Sequence, residues 1–117
     1  MDYAPLAAKG RVILISGANR GIGRAIAERL YRAGYTLSLG ARKPESLKPV
    51  MTKMSASRVL AHAYDAMKTK SAASWVAATA KRFGRIDGVV NTFVDITAAK
   101  TLEATLRATQ SGQEAGG

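Results

Sequence analysis

Cysteine is absent from this 117-residue chain, and histidine occurs only once, at His62. Without cysteine there is no disulfide framework and no thiolate metal site, and a reducing cytoplasm is the expected compartment. A single histidine cannot build a metal centre of several imidazoles, and it is a poor anchor for a Ser-His-Asp triad. These absences argue against disulfide-rich secreted proteins, zinc proteins and triad hydrolases.

Long apolar runs and a basic leader are missing as well. The longest apolar stretch is far shorter than the roughly 20 residues that cross a bilayer, and the N-terminus lacks the basic-then-apolar pattern of a signal peptide. Proline is scarce, at 3 residues, while 47% of the chain is hydrophobic. We therefore expect a soluble, folded protein with no membrane partner.

Acidic residues are few, with 8 Asp and Glu against 18 Lys and Arg, which gives a formal net charge of +10. Residues 20–85 contain 14 basic and 3 acidic residues, whereas the chain from Ile86 onwards contains 2 basic and 4 acidic residues. The basic residues are scattered and are not interleaved with aromatics. This pattern favours a solvated basic surface that suits an anionic cofactor, and it disfavours a nucleic-acid platform.

What the chain does contain is an alternation of apolar strands and amphipathic helices. Strands are predicted over residues 11–16, 35–40, 58–64 and 86–91, and helices over residues 22–33, 43–54, 69–83 and 98–109. Pro49 lies inside the second helix and should shorten or kink it. Trp75 is expected at the apolar edge of the third helix.

The predicted architecture is a three-layer, Rossmann-type α/β fold. Strand–helix alternation with short connections implies a parallel sheet with right-handed crossovers. A switch point at the first strand-to-helix loop gives the strand order 3-2-1-4, with the third helix on the opposite face from the first two. The Rossmann-like unit would span residues 1–96, followed by a weak helix within residues 97–109 and a disordered tail over residues 110–117.

The loop between the first strand and the first helix carries the main functional signal. It reads Ser-Gly-Ala-Asn-Arg-Gly-Ile-Gly over residues 16–23, with glycines in a Gly-x-x-x-Gly-x-Gly register. Glycines let the backbone turn tightly and approach a phosphate, and the helix N-terminus behind them adds partial positive charge. The spacing differs from Gly-x-Gly-x-x-Gly and lacks the Gly-Lys-Ser/Thr of a P-loop. It predicts a nucleotide site of another type.

This loop resembles the Thr-Gly-x-x-x-Gly-Ile-Gly segment of the classical short-chain dehydrogenases/reductases, and the resemblance covers residues 9–91. It implies a Rossmann fold and a dinucleotide cofactor that exchanges hydride with a carbonyl or alcohol substrate, with tyrosine as the acid/base. The residues that it assigns to the cofactor phosphates are Gly17, Arg20, Gly21, Ile22 and Gly23, and Asn19 in the same loop is also predicted to bind the cofactor.

The end of the second strand indicates which dinucleotide is bound. NAD enzymes place there a carboxylate that binds the ribose hydroxyls, whereas this chain has Ala41 followed by Arg42. A guanidinium holds a 2′-phosphate bidentately, and Arg20 adds a second cation. We therefore expect NADP(H) to be preferred over NAD(H). The alternative is that Arg42 and Lys43 are ordinary loop charges.

Two further positions match the family. Asp65 corresponds to the acidic residue that binds the adenine amino group, and Ala66 would offer its backbone N–H to the ring; the alternative for Asp65 is a cap of a helix or turn. Asn91 corresponds to the first residue of the family's Asn-Asn-Ala-Gly segment, but residues 92–94 read Thr-Phe-Val. These bulkier side chains would crowd the nicotinamide side.

The family's catalytic region has no counterpart in this chain. Tyr64 and Lys68 have Tyr-x-x-x-Lys spacing, but Tyr64 ends the predicted third strand, whereas the family's pair works from one face of a long helix. We expect no catalytic residue among these 117 residues. The chain is interpreted as the NADP-binding N-terminal part of such an oxidoreductase, either a truncated or frameshifted reading frame or an authentic short protein.

Two other interpretations remain open: a nucleotide-binding module without turnover, and a basic interaction module. In the 3-2-1-4 order the fourth strand lies at the edge of the sheet, so Val89 and Val90 would present an unpaired edge. We expect self-association through this edge.

Overall fold

Four parallel strands form the sheet in the computed structural model, which describes residues 8–92 and 100–109. The strands lie in the order β3-β2-β1-β4. Their bounds are β1 (Val12–Ser16), β2 (Thr36–Ala41), β3 (Val59–Ala63) and β4 (Gly88–Val90). The predicted parallel sheet and its strand order are confirmed, although β4 has 3 residues where six were predicted.

Helices connect the successive strands. They are α1 (Gly21–Ala33), a 3₁₀ turn (Pro44–Leu47) followed by α2 (Lys48–Met51), and α3 (Thr69–Phe83). The continuous helix predicted over residues 43–54 is thus divided in two. Pro49 lies in the first turn of α2, where its missing N–H is tolerated, so a new helix begins there.

Two apolar clusters, one on each face of the sheet, form the core. On one face, α1 and the segment with the 3₁₀ turn and α2 pack against Ile15, Leu37 and Leu39. On the other face, α3 and residues 100–109 pack against Leu14. The third helix therefore lies opposite the first two, as predicted, and the fold has three layers.

Trp75 corrects one expectation about the core. Its side chain is fully buried rather than at the apolar edge of α3. The indole lies directly against Gly40 of β2, where a Cβ atom would stand 2.8 Å from two ring carbons. A glycine on the sheet therefore makes room for the largest side chain, which sequence periodicity does not reveal.

Residues 100–109 are helical, with Leu102 fully buried and Leu106 nearly so. Both side chains pack on the α3 face of the sheet. The start of the helix predicted over residues 98–109 and the predicted tail over residues 110–117 lie outside the described residues. None of the helices in the described ranges has the length and apolarity of a membrane span.

Candidate functional site

A groove of about 800 Å³ runs along the carboxyl ends of β1, β2 and β3. Its lining residues are Gly17, Asn19, Arg20, Gly21, Ile22 and Gly23 after β1, Ala41, Arg42, Lys43 and Ser46 at the end of β2, Tyr64, Asp65, Ala66 and Met67 after β3, and Thr92 after β4. The groove contains nine of the ten residues predicted for the cofactor site. The tenth, Asn91, does not line it.

A left-handed backbone with a close side chain explains one of the loop glycines, and close backbone approach explains another. Gly17 has a φ of +62°, and a Cβ atom there would stand 2.5 Å from the hydroxyl of Thr92. Gly23 lies so near the Gly17 carbonyl that a Cβ atom would overlap it. A side chain at Gly23 would push α1 away from the loop, and one at Gly17 would displace the Thr92 side chain.

The N-terminus of α1 opens into the groove without a side-chain cap. Arg20 is the N-cap residue but makes no capping hydrogen bond, and the first turn contains no acidic residue. The amides of this turn therefore keep their donor capacity and their partial positive charge. Such a terminus can bind an anion.

Neighbouring strands hold the glycine-rich loop on both sides. On the β2 side, the amides of Gly17 and Ala18 donate to the Gly40 carbonyl at 2.9 and 3.4 Å. On the β4 side, the Thr92 hydroxyl donates to the Ser16 carbonyl at 2.8 Å, and the Thr92 amide donates to the Ser16 hydroxyl at 3.1 Å. The loop therefore has a defined shape.

Positive charge predominates among the lining residues. Arg20, Arg42 and Lys43 are exposed there, and Asp65 is the single carboxylate on the wall. Ala41 is buried and offers no carboxylate to a ribose. No cluster of His, Asp and Glu suited to a metal ion occurs in the described part of the chain. The predominance of Arg20, Arg42 and Lys43 suits the groove to an anionic ligand.

Asp65 also stabilises the turn that it occupies. Its Oδ1 accepts a hydrogen bond from the Met67 amide at 2.9 Å, and its own amide donates to the Ser71 hydroxyl at 2.8 Å. The alternative role considered from the sequence, a turn cap, is therefore present. A carboxylate has further lone pairs, so this turn bond leaves acceptor capacity on the groove wall.

Tyr64 and Lys68 do not form a pair on one helical face. Tyr64 follows β3, is 3% exposed, and has its ring centroid 4.8 Å from that of Trp75. Burial first, and then the charge of Asp65, raise the pKa of the Tyr64 phenol above its ordinary value, which makes it a weaker proton donor. Lys68 is the exposed N-cap residue of α3.

Asn91 joins two strands behind the groove. Its Oδ1 accepts a hydrogen bond from the Ser16 hydroxyl at 3.3 Å, and its Nδ2 is buried without a partner among the described residues. The fully buried Ser16 thus connects the ends of β1 and β4. Phe93 and Val94, which were expected to crowd the nicotinamide side, lie outside the described residues.

Sequence reasoning missed three lining residues: Ser46, Met67 and Thr92. Met67 is 83% exposed and Ile22 is 75% exposed, and both of these apolar side chains lie on the groove wall. A methionine directly after the predicted adenine contacts was a usable signal. The hydroxyl of Thr92 carried none, because it bonds to the Ser16 carbonyl, which only the fold brings near; the Ser46 hydroxyl makes a local bond to the Lys43 carbonyl that gives no sign of a groove.

Comparison with known proteins identifies relatives. The model of the short chain dehydrogenase family matches residues 11–110. An agropine synthesis reductase of Rhizobium rhizogenes is 49% identical over 80 residues, which are 68% of this chain and 18% of that protein. A levodione reductase of Leifsonia aquatica is 39% identical over 85 residues, 69% of this chain and 32% of that protein. The chain thus spans less than a third of the length of these relatives.

Solved structures share the fold. A metagenomic short-chain oxidoreductase in complex with NADP has a TM-score of 0.79 and 25% identity, over 87% of this chain and 57% of that one. A levodione reductase has a TM-score of 0.63 and 38% identity, over 69% of this chain and 33% of that one. The family match over residues 11–110, together with these relatives, shows that the chain belongs to the short-chain dehydrogenase family.

Proposed function

We propose that this chain binds NADP(H) and forms the cofactor-binding part of an oxidoreductase that acts on carbonyl or alcohol substrates. The groove carries the proposal, because an uncapped helix N-terminus and three cations, Arg20, Arg42 and Lys43, share its walls. Its volume of about 800 Å³ lies within the range of small-molecule sites. When bound, the nicotinamide would supply hydride transfer.

The glycine-rich loop would hold the cofactor phosphates. Gly23 keeps side chains out of the space where α1 meets the loop, and Gly17 leaves room for the Thr92 side chain. The amides of the first turn of α1 face the groove with no acidic side chain to compete for them. Backbone donors and the helix dipole would therefore act together on the pyrophosphate, and Asn19, Gly21 and Ile22 would complete that wall.

Arg42 would bind the 2′-phosphate that distinguishes NADP from NAD. The exposed guanidinium lies on the groove wall directly after β2, and Ala41 replaces the carboxylate that would repel a phosphate. The related metagenomic oxidoreductase was solved with NADP. Asp65 and the backbone of Ala66 would contact the adenine from the end of β3.

A charge-reversal variant tests the cofactor assignment. Arg42→Glu should weaken NADPH binding by at least about tenfold and leave NADH binding unchanged or stronger, because it replaces a phosphate contact with a repelling charge. Energy transfer from Trp75, the single tryptophan, to the reduced nicotinamide provides the measurement.

Arg29→Glu is the matched control for this test. Arg29 is exposed on α1 and does not line the groove, so the variant makes the same charge change elsewhere. It should bind NADPH nearly as well as the wild type. Wild-type affinities that are equal for NADPH and NADH would contradict the assignment to Arg42.

A nucleotide-binding module without turnover is the second candidate for the 117-residue chain by itself. The buried Tyr64, with its raised pKa, favours this candidate because it supplies no accessible proton donor. The acid/base groups would then belong to the part of the relatives that this chain does not cover. We assign the protein to the cytoplasm, which suits its lack of cysteine.

We further propose that two copies associate through β4. This strand lies at the edge of the four-stranded sheet, with β1 as its neighbour on one side. The Asp87 amide donates to the Val12 carbonyl, and because amide directions alternate along a strand, those of Gly88 and Val90 point away from β1. An edge with outward donors is a template for pairing with a second chain.

A further inference from the structure

The indole of Trp75 supports the glycine-rich loop from beneath the sheet. The ring touches Gly40, where even a Cβ atom would stand only 2.8 Å from it. The Gly40 carbonyl on the same residue accepts hydrogen bonds from the amides of Gly17 and Ala18, at 2.9 and 3.4 Å. A displacement of the indole towards β2 would therefore move the attachment point of the loop.

The same indole also contacts the opposite wall of the groove. Its ring centroid lies 4.8 Å from that of Tyr64, with the planes inclined by 36°. Tyr64 is joined to β2 by its amide, which donates to the Ala41 carbonyl at 2.8 Å, and it is followed by Asp65 on the groove wall. One side chain thus underlies both the phosphate side and the Asp65 side of the groove.

A chain of buried hydrogen bonds fixes the orientation of this indole. The Trp75 Nε1 donates to the Ser38 hydroxyl at 2.8 Å, the Ser38 and Thr79 hydroxyls are 2.7 Å apart, and the Thr79 hydroxyl donates to the Trp75 carbonyl at 2.9 Å. When the Ser38 hydroxyl donates to the Thr79 hydroxyl, each of the three donors gives one hydrogen bond, and the series of bonds begins and ends at Trp75. All three residues are fully buried, so each lost bond leaves a group that water does not reach.

We propose that the Ser38–Thr79–Trp75 network positions the nucleotide groove, although none of its three residues lines that groove. The inference rests on the proposed nucleotide binding and deepens it by assigning positioning residues in the α3 layer. Its consequence is that the shape of the glycine-rich loop depends on hydroxyls in the core, not only on the loop's own glycines.

Four variants test this positioning role. Trp75→Phe removes the indole N–H and the contact with Gly40, and Thr79→Val removes a hydroxyl without changing the shape of the side chain. Thr79→Ser keeps the hydroxyl and serves as the conservative rescue. Val76→Ala is the control, because Val76 is fully buried on the same helix but takes no part in the network.

Amide hydrogen exchange in the nucleotide-free protein gives a readout that does not depend on the ligand. In Trp75→Phe and Thr79→Val, the Gly17 and Ala18 amides should exchange about tenfold faster relative to the rest of β1. Thr79→Ser and Val76→Ala should leave this ratio unchanged. In parallel, ADP should bind about fivefold to tenfold more weakly to the first two variants than to the last two.

Exchange at Gly17 and Ala18 that rises no further in Thr79→Val than in Val76→Ala would overturn the positioning role. This result would count whether or not the wild type binds ADP, because it concerns the free protein. Failure of the wild type to bind ADP or NADPH, with the exchange differences present, would overturn the proposed function and leave the network's control of the loop intact.

Discussion

The carboxyl ends of β1, β2 and β3 differ from that of β4 in what their residues contact. The first three lead into the glycine-rich loop, the Arg42 turn and the Asp65 turn, which supply most of the groove. After β4, the described residues Asn91 and Thr92 bind mainly to Ser16, and only Thr92 reaches the groove wall. The groove is thus built mainly by one part of the sheet, to which the proposed function gives the recognition of phosphate and adenosine, and the other part joins strands.

This difference also separates what the chain shares with its family from what it does not. The first three strand ends carry the residues that the resemblance assigns to the cofactor, whereas residues 92–94 read Thr-Phe-Val where the resemblance predicts Asn-Ala-Gly. Variants on the two sides should have different consequences: those on β1–β3 should alter nucleotide binding, and those on β4 should alter assembly or stability.

The largest contrast is expected from the same glycine-to-alanine change on each side. Gly23→Ala places a methyl group against the Gly17 carbonyl and should weaken ADP binding by about a hundredfold or more, since a shift of about 1 Å in a binding site can have that effect. Gly88→Ala on β4 meets only the flexible end of Ile13, at 3.3 Å, and should change the affinity less than twofold. Isothermal titration with ADP measures both, and comparable losses would remove the distinction between the two sides.

A charge on the edge of β4 should change assembly without changing nucleotide binding. Gly88→Lys adds a side chain of the kind that protects natural sheet edges, so a self-associating wild type should become monomeric. Sedimentation equilibrium over a range of concentrations is the measurement. Ala73→Lys, on the exposed side of α3, adds the same charge away from the edge and should stay associated. A wild type that remains monomeric at high concentration would contradict pairing through β4.

The fold was predictable because its determinants are local. Runs such as Val12–Ser16 are apolar and β-branched, and glycines at positions 34 and 84 end helices, so strand–helix alternation and the 3-2-1-4 order followed from pattern and chain connectivity. The loop glycines, Arg42 and Asp65, which the loop pattern and the family resemblance predicted for the cofactor site, line the groove because they lie at fixed places relative to the strands; their roles towards a cofactor stay predictions.

The remaining features depend on contacts between residues that are distant in the sequence. Trp75 is buried because Gly40, 35 positions earlier, lacks a side chain, and Thr92 lines the groove because β4 lies beside β1. The sequence showed the helical pattern around Trp75, but it did not show that the Trp75 side chain is fully buried. Periodicity identifies which face of a helix is apolar; it does not report which residue on the sheet leaves space for it.

A smaller effect is expected at Asp87, on the β4 side, and it concerns stability alone. The carboxylate accepts hydrogen bonds from the Val12 amide at 2.7 Å and from Arg85 at 2.6 Å. Burial opposes its charge, but the bonds from Arg85 and Val12 outweigh burial and hold the pKa of Asp87 below its ordinary value. The carboxylate therefore contributes fully above its unfolded-state pKa, and the contribution is lost as the pH falls through the folded-state pKa.

Asp87→Asn should accordingly lower the free energy of unfolding by about 1 kcal/mol at pH 7. The difference from the wild type should shrink towards zero as the pH falls through the folded-state pKa of Asp87, because the wild-type carboxyl is then protonated as well. Urea unfolding at pH 7 and in acid measures this, and ADP affinity at pH 7 should stay unchanged. A deficit that persists undiminished in acid would show that the charge on Asp87 is not its cause.

The smallest effect is expected from Tyr64→Phe, which tests whether the Tyr-x-x-x-Lys spacing has any catalytic meaning here. The variant keeps the tilted ring that packs against Trp75 and removes a phenol whose pKa is already raised by burial. NADPH affinity should stay within about twofold, because the substitution preserves the ring that packs beneath the groove. Neither protein should oxidise NADPH above background with ketones, aldehydes or quinones, since hydride transfer needs a proton donor beside the substrate oxygen. Lys81→Gln, on the exposed side of α3, is the control. If the wild type oxidises NADPH, and this activity is lost in Tyr64→Phe but kept in Lys81→Gln, then Tyr64 takes part in catalysis and the prediction is wrong.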